Sequence, residues 1–193
     1  MKKLVIFDLD GTLLNTIADL AHSTNYALNK LGYPTHEIEK YNFMVGNGID
    51  KLFERALPEE EKSKENVLRV RKEFVPYYDI HNADDSRPYP GIPELLSYLQ
   101  NAGVQIAVAS NKYQAATQKL VDHYFPEIHF TAVFGQREGV KVKPDPIIVS
   151  DILEVAKVAK EEVLYVGDSG VDMQTAANAG VTACGVTWGF RPR

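Results

Sequence analysis

The stretch that most constrains the fold lies near the N-terminus, at residues 4–13. Four consecutive apolar residues, Leu4–Phe7, predict a short strand buried on both faces, like a central strand of a parallel sheet. Asp8 and Asp10 follow, and their spacing of two places both carboxylates on one side of an extended backbone. Gly11 supplies the backbone freedom for a tight turn. A carboxylate pair at the end of such a strand lies where open α/β sheets bind ligands.

The remainder of the chain has two kinds of pattern. From residue 90 onward, helical and strand patterns alternate, which predicts an α/β protein with a doubly wound, Rossmann-like parallel sheet. The predicted helices cover 92–101, 114–124, 145–158 and 173–179, and the predicted strands cover 104–109, 131–134, 163–166 and 182–186.

Residues 16–78 contain helical patterns and no convincing strand. Helices are predicted from 17 to 31, 49 to 57 and 59 to 78, with Asn15 or Thr16 as the first cap and a polar linker at 79–90. We therefore predict an all-helical domain at 16–84, inserted after the first strand of a core made of 1–15 and 85–193.

Charge and hydropathy exclude several classes of function. A net charge of -5 argues against nucleic acid as the main partner. Nothing in the sequence approaches the roughly 20 consecutive apolar residues that cross a bilayer, so we expect a cytoplasmic protein without a membrane partner. The lone cysteine, Cys184, lies in an apolar run and is expected to be a small buried hydrophobic residue.

Polar residues at or between the predicted strand ends form the candidate site. A doubly wound sheet would gather these groups at one edge. Three carboxylates in one place repel each other unless a cation lies among them, and clustered oxygen ligands suit Mg²⁺. A nucleophile, a second acid, a lysine and a hydroxyl are also the groups that phosphoryl transfer needs. The residues concerned are Asp8, Asp10, Ser110, Asn111, Lys143, Asp168 and Asp172.

Two motifs resemble those of the haloacid dehalogenase superfamily. Residues 8–13, Asp-Leu-Asp-Gly-Thr-Leu, resemble its first motif, and residues 167–172, Gly-Asp-Ser-Gly-Val-Asp, resemble its fourth. Separately, each could be a solvated turn. Together, in the right order at opposite ends of the chain, they identify it as a member of that superfamily. Most members are magnesium-dependent phosphatases that form an aspartyl-phosphate, and many carry a helical cap after the first strand.

The resemblance implies a role for each matching residue. Asp8 corresponds to the nucleophile, Asp10 to the general acid/base, and Ser110 to the hydroxyl that binds the transferring phosphoryl group. Lys143, in Lys-Pro-Asp-Pro, corresponds to the cationic third motif, although Lys141 is a rival.

The implied metal ligands are Asp8, Asp10 and Asp168, with Asp172 in a supporting role. Candidate substrate-binding residues come from the first motif, the second predicted strand and a glycine-containing loop of the helical block. They are Gly11, Thr12, Asn111, Gly46, Asn47 and Gly48. For the last three, a plain turn before a helix is an equally good interpretation.

The choice of reaction depends on Asp10. Phosphatases and phosphomutases of the superfamily have this second acid, whereas its dehalogenases and phosphonoacetaldehyde hydrolases lack it. The loop at 45–48 and the ending Thr187–Phe190 resemble the phosphoglycolate phosphatase group. The expected function is a phosphatase for a small phosphorylated metabolite, as a monomer or homodimer. A sugar phosphomutase similar to β-phosphoglucomutase, and a non-catalytic domain that binds a phosphorylated ligand, remain alternatives.

Overall fold

A computed structural model describes residues 1–191 of the chain. Five strands form one parallel sheet in the order β5-β4-β1-β6-β7, and β2 and β3 form a small antiparallel ladder. The strands are β1 (Leu4–Phe7), β2 (Leu14–Asn15), β3 (Arg87–Pro88), β4 (Gln105–Tyr113), β5 (Ala132–Gln136), β6 (Val163–Gly167) and β7 (Thr182–Gly185). The predicted α/β class and doubly wound sheet are confirmed.

Residues 1–191 contain seven α-helices, some of which flank the sheet while the others form the block inserted after β1. They are α1 (Ile17–Lys30), α2 (Ile49–Ala56), α3 (Lys64–His81), α4 (Ile92–Asn101), α5 (Gln114–Tyr124), α6 (Ile147–Ala156) and α7 (Gly170–Ala179). Short 3₁₀ helices lie at Ile38–Phe43, Glu59–Glu61 and Lys160–Glu162. Within residues 1–191, every helix is too short or too polar to cross a membrane.

The apolar run of β1 is explained by its central place in the sheet. Leu4 and Ile6 pack with α6 and α7 on one face, while Val5 and Phe7 pack with α4 and α5 on the other. Since successive side chains of a strand point to opposite faces, a strand covered on both sides needs an apolar residue at every position. All four residues are buried accordingly.

Helices α1 to α3 and the 3₁₀ helix Ile38–Phe43 supply most of a second apolar cluster, which also includes Ala116 of α5 and Phe190. Its most buried aromatic members are Tyr41, Phe53, Phe74 and Tyr78. The entry and exit of this block are tied together by β2 and β3, where Leu14 lies opposite Pro88. This arrangement is consistent with the predicted division at 16–84, which stays a prediction.

A buried carboxylate stabilises the return from the helical block to the sheet. Asp19, in the first turn of α1, is 2% exposed. It accepts hydrogen bonds from the backbone N–H of Asp85 at 2.9 Å and from the N–H and hydroxyl of Ser86 at 2.8 and 2.6 Å. Several hydrogen bonds to one carboxyl group compensate for its burial.

Several helix starts and one cap differ from the sequence-based prediction. The helix predicted over 59–78 is broken, because Ser63 caps α3 by accepting a hydrogen bond from the Asn66 N–H at 3.1 Å. The helix predicted over 145–158 begins at Ile147 and ends at Ala156, with Pro146 as its N-cap. Thr16 is the N-cap of α1, as predicted, but makes no side-chain cap hydrogen bond, because its hydroxyl donates to Asp10.

Two predictions about strands also need correction. Strand β4 continues to Tyr113 rather than ending near residue 109, with an irregularity in its pairing between Ala109 and Tyr113. Cys184, expected to be buried, is exposed, because β7 is an edge strand whose four residues are all exposed. An apolar run therefore did not indicate burial at this edge.

Candidate active site

The candidate site lies where the carboxyl ends of β1, β4 and β6 meet the helical block. Asp8 follows β1, Ser110 to Lys112 lie in the last part of β4, and Asp168 follows β6. The cavity between these groups and the helical block has an empty volume of about 550 Å³, including its open mouth. Its wall is formed by Asp8, Asp10, Leu20, Val45, Gly46, Gly48, Ile49, Leu52, Ser110, Asn111, Lys112, Asp168, Ser169, Phe190 and Arg191.

Lys143 connects two carboxylates beneath this cavity. Its Nζ lies 2.9 Å from Asp8 Oδ1 and 2.7 Å from Asp172 Oδ1, and it donates to the Ala109 carbonyl at 3.0 Å. Burial alone would lower the pKa of Lys143, but Asp172 and Asp8 raise it well above its usual value. The rival Lys141 has a side chain 82% exposed and lies 3.4 Å from Asp145 instead.

Three carboxylates converge around this lysine. One oxygen from each of Asp8, Asp168 and Asp172 lies within 4.8 Å of the others. Burial, the charge of Asp172 and then that of Asp168 raise the pKa of Asp8 well above its usual value, despite Lys143. Burial also raises the pKa of Asp168. The single positive charge of Lys143 therefore does not compensate for the three carboxylates.

Asp172 is held as part of a helix cap. Its Oδ2 accepts from the N–H and hydroxyl of Ser169 at 3.1 and 2.6 Å, forming a capping box at the start of α7. Burial raises the pKa of Asp172, but Lys143 and these hydrogen bonds outweigh burial and leave it lowered. Both oxygens of Asp172 are engaged by the protein, which suits a supporting role.

Two glycines let the backbone approach Asp168 closely. A Cβ at Gly11, whose φ is 85°, would lie 2.5 Å from Asp168 Oδ2, and one at Gly189 would lie 2.4 Å from the same oxygen. The Phe190 N–H donates to Asp168 Oδ2 at 2.8 Å. A larger residue at either glycine would therefore displace the Asp168 carboxylate.

Asp10 has a different set of neighbours from Asp8. Its Oδ1 accepts from the Thr16 hydroxyl at 2.6 Å and lies 3.2 Å from Lys112 Nζ. Lys112 is 4% exposed and also donates to the Tyr78 hydroxyl at 2.7 Å. Nothing in the sequence pattern distinguishes Lys112 from a surface lysine. Its buried contact with Asp10 depends on the extension of β4 beyond its predicted end.

The other residues of this part of β4 hold the surrounding loops. Ser110 is 2% exposed, and its Oγ accepts from the Lys112 N–H at 3.1 Å. Asn111 accepts from the Lys143 N–H at 2.8 Å and donates to the Lys143 carbonyl at 3.1 Å. It also donates to the Gly46 carbonyl at 3.1 Å. Asn111 therefore joins the Lys143 segment to the helical block.

The structure places the predicted substrate-binding residues unequally. Gly46 and Gly48 line the cavity, whereas the Asn47 side chain accepts from Arg55 at 2.8 Å and is not part of the wall. Gly11 and Thr12 also lie outside the wall.

The segment after β7 supplies Phe190 and Arg191 to the wall. Phe190 ends the stretch that resembles the phosphoglycolate phosphatase group, but neither residue was predicted to belong to the site. Arg191 donates from Nη2 to the Val45 carbonyl at 2.6 Å, which connects this segment to the loop before α2. Only the proximity of this segment to the sheet edge in three dimensions reveals its place in the wall.

This geometry agrees with what comparison with known families shows. A family model described as haloacid dehalogenase-like hydrolase matches residues 5–186. The chain belongs to this family. The match spans every strand of the main sheet except the first residue of β1, and it includes the helical block.

Individual relatives of this haloacid dehalogenase-like hydrolase are similar along most of its length. The phosphoglycolate phosphatase of Vibrio parahaemolyticus is 34% identical, over 97% of this chain and 85% of the relative. That of Mesorhizobium japonicum is 32% identical, over 100% and 86%. A crystallised Lactobacillus delbrueckii protein, itself proposed to be a phosphoglycolate phosphatase, superposes with a TM-score of 0.93 at 34% identity, over 100% and 89%. The protein is thus a phosphoglycolate phosphatase-like hydrolase.

Proposed function

We propose that this protein is a Mg²⁺-dependent phosphatase that hydrolyses a small phosphate monoester, similar to phosphoglycolate, through an aspartyl-phosphate on Asp8. The observation that carries the proposal is the pair of aspartates with different environments. Asp8 contacts Lys143 within the carboxylate cluster, while Asp10 contacts Lys112 and the helical block. Two acids held in separate surroundings can take a nucleophilic and a proton-transfer role. The substrates of the relatives favour the small monoester.

The donor set fits Mg²⁺. Asp8, Asp168 and Asp172 supply three charges of one sign, and Lys143 supplies one of the other, which leaves a deficit that a divalent cation would offset. Asp8 and Asp168, with the backbone carbonyl of Asp10, would hold the ion, and Asp172 would support them. When bound, Mg²⁺ would polarise a phosphoryl oxygen and reduce its repulsion with Asp8.

Asp8 is oriented for nucleophilic attack. Its Oδ1 accepts from the Leu9 N–H at 2.7 Å and contacts Lys143, while Oδ2 accepts no hydrogen bond from residues 1–191. Oδ2 attacks phosphorus as the bond from phosphorus to the ester oxygen breaks. Lys143 and the Ser110 hydroxyl stabilise the charge on the transferring group.

Asp10 completes both half-reactions. It gives a proton to the leaving ester oxygen, which departs as an alcohol. It then takes a proton from a water molecule that attacks phosphorus, and Asp8 is released with inorganic phosphate. The Thr16 and Lys112 contacts hold Asp10 in place for both steps.

We assign the helical block at 16–84 to a cap over the site. Support comes from its contacts with the core near the cavity, where Tyr78 bonds to Lys112 and the Gly46 carbonyl to Asn111. Caps of this kind exclude water during phosphoryl transfer and reopen for release.

A test of the cap contact is Tyr78→Phe, which keeps the ring over Lys112, at 4.7 Å from Nζ to centroid, and removes only the hydroxyl. We expect kcat to fall about 3- to 10-fold, because a buried charged donor loses a partner worth about 1–2 kcal/mol. The matched control is Tyr41→Phe, which removes another buried hydroxyl, bonded to Asn25 at 2.7 Å within the block. Equal loss of kcat in both variants would contradict the assignment.

The proposed function is tested by phosphate release from phosphoglycolate, p-nitrophenyl phosphate, sugar phosphates and nucleotides, with Mg²⁺ or with a chelator. We expect turnover only with Mg²⁺ and a preference for small monoesters. Folded protein that releases no phosphate would contradict the proposal, and a hexose phosphate with its bisphosphate primer would then test for a mutase. Turnover that the chelator leaves unchanged would exclude a requirement for Mg²⁺.

A further inference from the structure

Arg191 differs from the other cations of the site in having an incomplete set of partners. Its Nη2 donates to the Val45 carbonyl at 2.6 Å, whereas its Nη1 is buried and has no hydrogen-bond partner among residues 1–191. Lys143 is paired with Asp8 and Asp172, and Lys112 with Asp10. A buried guanidinium N–H without a partner is costly, so such a group calls for an explanation.

The position of Arg191 indicates which kind of ligand would supply the missing hydrogen-bond partner. Arg191 lines the same cavity as Asp8, but its hydrogen bond is to the loop of the helical block rather than to the carboxylate cluster. A Cβ at Gly46 would lie 3.4 Å from Nη2, so the guanidinium packs against this loop. A ligand that reaches from Asp8 toward the helical block would therefore pass Arg191.

The remaining wall on that side offers little to a polar substrate. Among the described residues, the helical block contributes four apolar side chains and the backbone of two glycines. The apolar ones are Leu20, Val45, Ile49 and Leu52. A sugar would leave several hydroxyl groups without partners there, whereas a short substrate with one further anionic group would need only Arg191.

The surroundings of Arg191 leave its charge only partly compensated. Burial lowers the pKa of Arg191, and the positive charge of nearby Arg55 lowers it further. Asp168 raises the pKa, but not enough to restore the usual value. An additional anion would be favoured beside such a group, and guanidinium pairs well with carboxylate.

We propose that Arg191 is the specificity-determining residue that binds a second anionic group of the substrate, a carboxylate one or two carbons from the phosphate ester. This inference rests on the proposed phosphatase function and names the substrate class of the same site. It assigns the phosphoryl group to Asp8, Lys143 and Ser110, and the distal carboxylate to Arg191.

The test compares two substrates of equal carbon number, 2-phosphoglycolate and ethyl phosphate, with the Mg²⁺-loaded enzyme. For Arg191→Met we expect kcat/KM to fall about 10- to 100-fold for phosphoglycolate, mainly through KM, and less than 3-fold for ethyl phosphate. Arg191→Lys should restore part of the loss. Equal losses on both substrates, or no loss on either, would overturn the proposal.

A matched control separates anion binding from support of the loop. Arg55 is exposed and lies outside the cavity wall, yet it donates to the same loop, at the Met44 carbonyl, at 2.8 Å. Arg55→Met should leave the ratio of the two kcat/KM values unchanged. If it shifts the ratio as much as Arg191→Met does, Arg191 only supports the loop and the proposal fails.

Failure of the phosphatase function would be visible separately. A parent enzyme that hydrolyses ethyl phosphate as well as phosphoglycolate keeps the phosphatase function and overturns the role of Arg191. If the parent hydrolyses neither, calorimetric titration with 2-phosphoglycolate still tests the contact. Binding weakened about 10-fold or more by Arg191→Met would support it, and unchanged or undetectable binding would overturn it.

Discussion

Replacing Asp8 by asparagine is expected to abolish turnover without destabilising the metal-free protein. Asparagine fills the same space but is not a nucleophile toward phosphorus, so kcat should fall by more than about 10⁴-fold. The fold should tolerate the change, because burial and the charges of Asp172 and Asp168 raise the pKa of Asp8 well above its usual value. A carboxylate with a raised pKa is disfavoured in its charged form, and asparagine removes that charge.

The pH dependence of this stability difference has a definite sign. Because the pKa of Asp8 is raised in the folded state, ionising this carboxylate destabilises the fold. The parent therefore becomes progressively less stable as pH rises above the pKa of about 4 that an aspartate has in the unfolded chain. In chelator, Asp8→Asn should therefore melt at a higher temperature than the parent at pH 7, and the difference should shrink as pH approaches 4.

The measurements are phosphate release and thermal melting of both proteins, with Asp122→Asn as the matched control. Asp122 is an exposed carboxylate on α5 that accepts from Gln118 at 2.8 Å. That variant should keep parental kcat and melting temperature. Residual turnover above about 1% in Asp8→Asn would assign the nucleophile to another group, and a lower melting temperature at pH 7 would contradict the electrostatic account.

Local sequence patterns in this chain predict the central part of the sheet well, because the apolar runs lie where the strands are buried. β1 is covered on both faces and is apolar throughout, so its position and central place follow from four residues. Helices α4 and α5 have the predicted bounds, because Gly103 and the polar ends of the segments mark them. The edge strand β7 behaves differently, since an apolar run carries no information on whether a neighbour covers it.

The site was only partly predictable, because several of its contacts depend on tertiary structure. Asp8 and Asp168 lie in recognisable motifs at strand ends, and the structure brings their oxygens together. Lys112 and Arg191 have no such signal. Their place depends on an irregular extension of β4 and on the chain direction after β7, and both contact the helical block. Long-range contacts of this kind leave no periodic pattern in a sequence.

Replacing Lys143 by methionine is expected to damage both stability and activity. The side chain of Lys143 is 1% exposed and contacts Asp8 and Asp172, so methionine leaves two buried carboxylates without their cation. Removing one partner of such a buried group costs about 3–5 kcal/mol. We also expect kcat to fall about 10²- to 10³-fold, since a charge that stabilises the transferring phosphoryl group is lost. Chemical denaturation and phosphate release measure the two effects.

Two further variants make the role of Lys143 falsifiable even if the single variant folds poorly. Asp172→Asn added to Lys143→Met removes one uncompensated charge, so it should recover part of the stability while kcat stays low. Lys141→Met, which changes a neighbouring lysine with a side chain 82% exposed, should alter neither property. Recovery of kcat together with stability in the double variant would show that Lys143 serves the fold alone. The separation of the two effects is expected because Asp172 is engaged by the α7 cap, whereas Asp8 lines the cavity.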